Sequence, residues 1–452
     1  MTIHPAVVAG TFYPADPGRL ARTVDDLIDA APKIGAPPPK AVVLPHAGYR
    51  FSGAAAASAA ASLIPGPSRV IILGPSHRHA FKGIALPAAD ALQTPLGTIP
   101  LDAETTGQLL QHPDVNIVPE AFAAEHSIEV ELPFLQRRLG DFRVVPLVVG
   151  DIARTRLTEI VDTVWGGDET LIVVSTDLTH FLNAAQAEAT DSKTAIAVER
   201  AEPRTIDAHH ACGHRPLAAF LRCAAARGMR ITRTALTHSG HATKDHDRVV
   251  GYGAWVAHAP EKARLSDDHR SRALHLARQA LQSRAARGKI PSIHLPSFPV
   301  PMQGQAAAFV TLTQQGRLRG CIGSLKAHSA MASDILSNAI KAGFEDPRFA
   351  PVTQDDLKTC QIEIALLSRP APMEFRDQDD LLAQLVPGRD GLILESNSHR
   401  GTFLPKVWDS LQKSDEFLAG LKVKSGLSRD HWSPDIKIWR YMAEAFGESA
   451  IS

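Results

Sequence analysis

Between Lys40 and Trp255 the chain alternates short, continuous apolar runs rich in β-branched residues with longer stretches of helix formers, which leaves few architectures open to it. The runs lie at 41–44, 69–73, 143–149, 171–174 and 249–252. Their apolarity is continuous rather than alternating, as in strands covered on both faces. They therefore predict an α/β domain with a mixed or mostly parallel sheet flanked by helices. Helices are expected at 53–64, 125–139, 184–199 and 209–227. The Ala-rich stretch 53–62 suits a helix lying close on a sheet, because Ala has the highest helix propensity and the least bulk.

After His258 the sequence turns polar and charged, which sets the domain boundary: a first domain over 1–258, a linker over 259–267 and a second domain over 268–452. Ser266 or Asp267 is placed to cap a helix whose apolar face is Leu274, Ala277, Leu281 and Ala285. Beyond it the pattern reads as α+β: a hairpin over 306–312 and 318–322, a helix near 331–344, a strand over 361–367, a turn at Asp390-Gly391 and a helix after Pro405.

Lys plus Arg and Asp plus Glu both number 48, so no net field gathers nucleic acid; small ligands or protein partners are expected, with a small molecule or peptide as substrate. The four cysteines, Cys212, Cys223, Cys321 and Cys360, show no CxxC spacing, which argues against a disulfide framework and for a reducing compartment. No apolar stretch reaches the roughly 18 residues of a membrane span, and no leader pattern opens the chain. The expectation is a cytosolic protein. A P-loop, a dinucleotide-binding glycine motif and a Gly-x-Ser-x-Gly elbow are all missing.

Three of the five strands run straight into histidine-bearing loops: Pro45-His46-Ala47-Gly48-Tyr49, Gly74-Pro75-Ser76-His77-Arg78-His79 and Ser175-Thr176-Asp177-Leu178-Thr179-His180. Ligands of open α/β sheets bind beyond the carboxyl ends of the strands, so these histidines are expected to converge. Neutral imidazole is the commonest protein ligand for divalent transition metals, and Asp177 is a candidate to orient a ring. Cys212, at the expected start of a helix, is a candidate soft ligand or nucleophile, because helix-terminal amides favour thiolate. Cys223, among Leu221, Ala224 and Ala225, reads as core. Glu125 and His126 are expected to stand behind the ligands or touch substrate, as are Tyr49 and His79 in the neighbouring loops. His238, His241 and His246 read as an exposed turn.

Seven blocks resemble the Memo family in that family's order: Ala9-Gly-Thr-Phe-Tyr13, Pro45-His-Ala-Gly-Tyr49, Leu73-Gly-Pro-Ser-His77, Thr94-Pro-Leu-Gly97, Glu125-His-Ser-Ile-Glu129, Ser175-Thr-Asp-Leu-Thr-His180 and Cys212-Gly-His-Arg-Pro216. Memo proteins resemble class III extradiol dioxygenases, whose sheet carries a non-haem iron between two histidines and a carboxylate. The resemblance implies His46, His77 and Cys212 as metal ligands and His180 with Asp177 at the acid/base position. Cys212 departs from the dioxygenase pattern by placing sulfur where carboxylate stands.

The second domain is similar to the AMMECR family through Leu318-Arg-Gly-Cys-Ile-Gly323, Asp346-Pro-Arg-Phe349, Asp390-Gly-Leu-Ile393 and Gly401-Thr-Phe-Leu-Pro405. The two families are associated with a radical S-adenosylmethionine protein in the AmmeMemoRadiSam system, so such a protein is an implied partner. In 319–323 the glycines allow positive φ or close approach of a ligand or backbone. Cys321 is a candidate nucleophile or a small residue that fits, and Arg319 and Arg348 are candidate anion binders. These readings imply a metal-dependent redox enzyme using Fe(II). Alternatives are a copper- or iron-binding or phosphopeptide-binding adaptor without turnover, and a subunit of the radical system.

Overall fold

The computed structural model describes residues 1–32 and 37–448. The chain divides into two compact units, Met1–Ala224 with Ile231–His258, and Ala225–Arg230 with Ala259–Ser452.

At the centre of the first unit four strands run parallel in the order Ala41–Leu44, Thr170–Ser175, Arg69–Pro75, Arg143–Val149. Val249–His258 adds antiparallel to one side and Ile84–Leu86 to the other, so the sheet is mixed with a parallel middle. Val42, Leu44, Ile71, Ile72, Val145, Leu147, Ile172 and Val173 are completely buried, as strands covered on both faces require. The Ala-rich helix Tyr49–Ala60 packs its small side chains into this core. Because three of the central strands leading to histidine loops are mutually parallel, their carboxyl ends share one edge of the sheet. The loops that follow residues 44, 75 and 175 leave from that edge.

Helix boundaries depart from the sequence expectation where prolines intervene. The stretch 125–139 is a loop through Ile128, a 3-10 turn Glu129–Glu131 and a helix Leu132–Leu139. Pro133 lacks an N–H and fits only the first helical turn, which places the start there. Pro216 does the same for His214–Ala226, so that helix begins at His214 rather than 209. The expected helix at 53–64 lies one turn earlier, at Tyr49–Ala60, and the helix expected at 184–199 is observed as Ala184–Glu199.

The second unit is α+β. Gln305–Gln314 pairs antiparallel with Arg317–Gly323 and Cys360–Leu367, and Cys360–Leu367 with Ala443–Gly447. A second antiparallel sheet joins Lys437–Tyr441, Gly391–Ser396 and His399–Phe403. Ser266 caps the helix Asp267–Arg287 by accepting the His269 N–H, and Met331–Phe344 packs beside that helix on the first sheet. After Pro405 come a 3-10 turn, Pro405–Asp409, and a separate helix, Ser414–Lys424. Among the described residues, no helix is long and apolar enough to cross a membrane.

Candidate metal centre

Two of these loops bring imidazoles together at the shared sheet edge, and the stretch ahead of helix Leu132–Leu139 adds a third, His126, while His180 on the third loop stands outside the group. One ring nitrogen from each of His46, His77 and His126 lies within 4.8 Å of the others. Ring centroids are 5.0 Å apart for His46 and His77, 5.3 Å for His46 and His126, and 4.7 Å for His77 and His126. Cys212 Sγ lies 3.3 Å from one member of the group, His46 Nε2, and reaches it from the loop ahead of helix His214–Ala226. The structure promotes His126 from a supporting position to a member of the cluster.

Each imidazole is held from behind. His46 is almost fully buried, and its Nδ1 is 2.7 Å from Ser175 Oγ. The buried Glu125 carboxylate accepts from His77 Nδ1 at 2.9 Å and from the His77 amide at 2.6 Å, and lies 3.4 Å from His126 Nδ1. Burial would raise the Glu125 pKa, but the bonds and charge of His77 and the amides of His77 and Ser127 outweigh it and hold the carboxyl at about 2. Burial, with the neighbouring imidazoles His77, His126 and His180, pushes His46 well below its ordinary value. Burial also lowers His126 to about 4 against the opposing pull of Glu125. His46 and His126 are therefore neutral at physiological pH and have lone pairs to give.

Cys212 corrects the expectation of a ready-made thiolate. The helix starts two residues later, and burial, with the Asp177 carboxyl beside it, pushes the thiol up to about 12. The Asp177 N–H reaches the sulfur at 3.3 Å but does not offset burial. An incoming cation has to displace that proton before sulfur can coordinate.

Asp177 and His180 do not pair. Asp177 Oδ1 accepts the His46 N–H at 2.9 Å and so shapes the loop that carries His46; burial lifts its carboxyl to about 7 against the His46 and Ala47 amides. His180 turns Nδ1 to the Leu178 carbonyl at 2.9 Å, which keeps the proton on that nitrogen and leaves Nε2 able to accept another. Tyr49 belongs to the core: its hydroxyl donates to the Val130 carbonyl at 2.8 Å, and its ring lies 4.8 Å from that of Phe134. His79, Ser76, Phe81, Asp151 and Arg215 line a cavity of about 230 Å³ that reaches Cys212. Arg215 is bound to Asp151 at 2.7 Å.

The expected exposed turn near 238–246 is only half so. His238 is 3% exposed and stacks on His241 at 4.1 Å, whereas His241 and His246 are exposed. Cys223 is core, as expected.

In the second unit, Arg319 is spent on structure. Its guanidinium donates to the Ala350 carbonyl at 2.6 Å and to Pro351 and Asp356 at 3.3 Å. Arg348 is likewise committed to Asp346 and to the Cys321 carbonyl. Gly320 and Gly323 serve packing rather than ligand approach: a Cβ would fall 2.0 Å from the Ala342 carbonyl oxygen at Gly320 and 2.1 Å from the Phe309 ring at Gly323. The Cys321 amide donates to Asp346, and its sulfur accepts from Thr311 Oγ1 at 3.3 Å.

Sequence reasoning missed Ser175 and Glu131, which stand behind His46. Glu131 is wholly buried, and an acid flanked directly by Val130 and Leu132 was the available signal.

Residues 4–256 match the family model described as Memo-like protein, and residues 274–446 match that described as AMMECR1. A MEMO1 family protein of Aquifex aeolicus is 33% identical over 267 residues, covering 56% of this chain and 98% of that protein. Another, from Methanopyrus kandleri, is 34% identical over 277 residues, covering 55% of this chain and 96% of its own length. Among solved structures, an uncharacterised protein from Pyrococcus horikoshii is 29% identical and covers 40% of this chain and 93% of its own, with a TM-score of 0.39.

Proposed function

The chain belongs to the Memo family and carries an AMMECR1 domain after its Memo-like one, and from this premise we propose that the first domain is a mononuclear non-haem metal centre for redox chemistry on a small-molecule or peptide substrate. The observation that carries the reading is the convergence of His46, His77 and His126 on one point, with Cys212 Sγ 3.3 Å from His46 Nε2. The donor set fits a mid-series divalent cation: neutral imidazoles anchored at Nδ1, and a thiol that becomes anionic on binding. We take His46, His77 and Cys212 as the ligands and His126 as the neighbouring donor. A bound Fe(II) would supply one-electron and oxygen chemistry.

The protein's own groups do the rest. The cavity lined by His79 and Arg215 gives a substrate of modest size access to the Cys212 side. His180, its Nδ1 fixed on Leu178, is the candidate to take a substrate proton on Nε2; burial holds its pKa below the usual imidazole value and so keeps it unprotonated at neutral pH. We assign the AMMECR1 domain a partner-binding role, with a radical S-adenosylmethionine protein as the partner to test by co-purification with and without residues 268–452.

Elemental analysis of anaerobically purified protein is the test. Wild type is expected to carry close to one equivalent of iron, and His46→Ala and His77→Ala to carry little. Equal metal content in all three refutes the centre. The thiol-imidazole set favours one second reading, a site that holds copper without turnover. Oxygen consumption with a panel of catechols separates the two, because only the redox enzyme consumes oxygen.

A further inference from the structure

We propose that Ser175 and Glu131 form a positioning relay that fixes His46 as the Nδ1–H tautomer, so that its Nε2 faces the metal position bare. The inference rests on the metal-centre reading for its purpose, but not for its geometry.

The argument is an accounting of one hydroxyl. Ser175 ends the strand Thr170–Ser175, is completely buried, and its Oγ has three polar neighbours: the Ser127 carbonyl oxygen at 2.5 Å, His46 Nδ1 at 2.7 Å and Glu131 Oε1 at 3.1 Å. A hydroxyl has one proton to give and two lone pairs to receive with. A carbonyl oxygen can only accept, and the Ser127 contact is the shortest of the three, so the Ser175 proton goes there. Placing it on either other neighbour leaves two oxygen lone pairs facing each other at 2.5 Å. The two remaining contacts must then donate to Oγ. One is His46 Nδ1–H, which leaves Nε2 bare, and that nitrogen is the one 3.3 Å from Cys212 Sγ. The other is the Glu131 carboxyl, which donates only as the neutral acid.

Independent features of Glu131 agree with the acid form. Its side chain is completely buried, and Oε2 has no hydrogen-bond partner, a setting that is prohibitive for an isolated carboxylate and tolerable for an acid. Burial, helped by the Asp177 charge, pushes its pKa well above the ordinary value. Glu131 thus supplies a proton that keeps the Ser175 hydroxyl turned to Ser127, and Ser175 in turn denies His46 any hydrogen-bond donor at Nδ1.

The test compares Ser175→Ala, Glu131→Gln and Glu131→Met in the full chain, each checked by thermal melting. Two readouts are used. Long-range proton–nitrogen correlations on histidine-labelled, metal-free protein report the His46 tautomer, with His46→Ala assigning the signal. Chelator competition with Co(II) reports metal affinity. Glu131→Gln places an amide N–H where the acid O–H stood, so it is expected to keep the Nδ1–H tautomer and hold affinity within about 3-fold of wild type. Ser175→Ala and Glu131→Met are expected to lose the single tautomer and about 10–100-fold in affinity, the usual cost of removing a group behind a metal-binding histidine. A wild-type His46 proton on Nε2, or Glu131→Gln as damaging as Glu131→Met, overturns the relay. If wild type binds no Co(II), the metal-centre reading fails, while the tautomer measurement still decides the relay.

Discussion

Replacing Glu125 with Gln tests whether one buried carboxylate assembles two of the imidazoles. Its Oε2 accepts the His77 amide at 2.6 Å, while Oε1 accepts His77 Nδ1–H and the His126 and Ser127 amides, each at 2.9 Å. Four donors thus point at two oxygens that are shielded from water. Gln has the same shape but offers one acceptor and one donor group. Its better orientation puts the oxygen where Oε1 was and turns the NH₂ against the His77 N–H. One charge-assisted bond, worth about 1.5–3 kcal/mol, is lost, and a buried amide is left unpaired at about 1–3 kcal/mol more. The three surviving bonds weaken from charged to neutral. A loss of about 3–6 kcal/mol follows, which for a domain of this size lowers the melting temperature by roughly 6–24 °C. With His77 and His126 no longer held, metal affinity is expected to fall by about 10–100-fold. Calorimetry of the full chain in chelator reads the first effect and Co(II) competition the second. A first-domain transition within about 1 °C of wild type, together with unchanged affinity, refutes the claim that Glu125 holds the two rings.

Other consequences are local. Burial lifts the Asp191 carboxyl to about 6, above the unfolded value of 3.8, so the native state holds the proton more tightly and stability falls as pH rises from about 4 to 6. The loss is at most about 3 kcal/mol. Denaturant titrations of Asp191→Asn, whose amide still serves Thr179, should show that slope flattened. Gly213→Ala would place a Cβ 2.7 Å from both the Ser175 carbonyl oxygen and Thr176 Cβ, displacing the loop that carries Cys212. Metal affinity should drop, while Gly107→Ala, with nothing within 4 Å of the new Cβ, leaves it unchanged. In the second unit, Asp334 accepts the Ala308 amide at 2.8 Å and Ser324 Oγ at 2.9 Å. Asp334→Ala leaves the buried Ala308 N–H unpaired and should lower only that unit's calorimetric transition, by about 2–4 kcal/mol in stability.

How far this site could be read from sequence depends on the range over which each feature acts. A strand buried on both faces advertises itself as an unbroken apolar run of four residues or more, so 41–44, 143–149 and 171–174 were legible, and with them the shared edge that gathers His46 and His77. Three-residue strands such as Ile84–Leu86 and Val115–Ile117 are too short to show any period, and their pairing is decided by neighbours far along the chain. The same distinction runs through the site. Residue types that can bind a metal sit at strand ends, where position in the chain is enough to propose them. The groups behind them act through space: Glu125 reaches His77 across 48 residues, and Glu131 reaches Ser175 across 44. His126 was misplaced because Glu125-His126-Ser127 resembles a helix start until Pro133 is given its weight. The Cys212 thiol was misjudged for a related reason, since the helix-end effect fades within a turn while burial acts on the whole group, and here burial prevails. Arg319 follows the same logic in the second unit: its charge was visible in the sequence, but the Ala350 and Pro351 carbonyls that consume it become neighbours only when the chain folds.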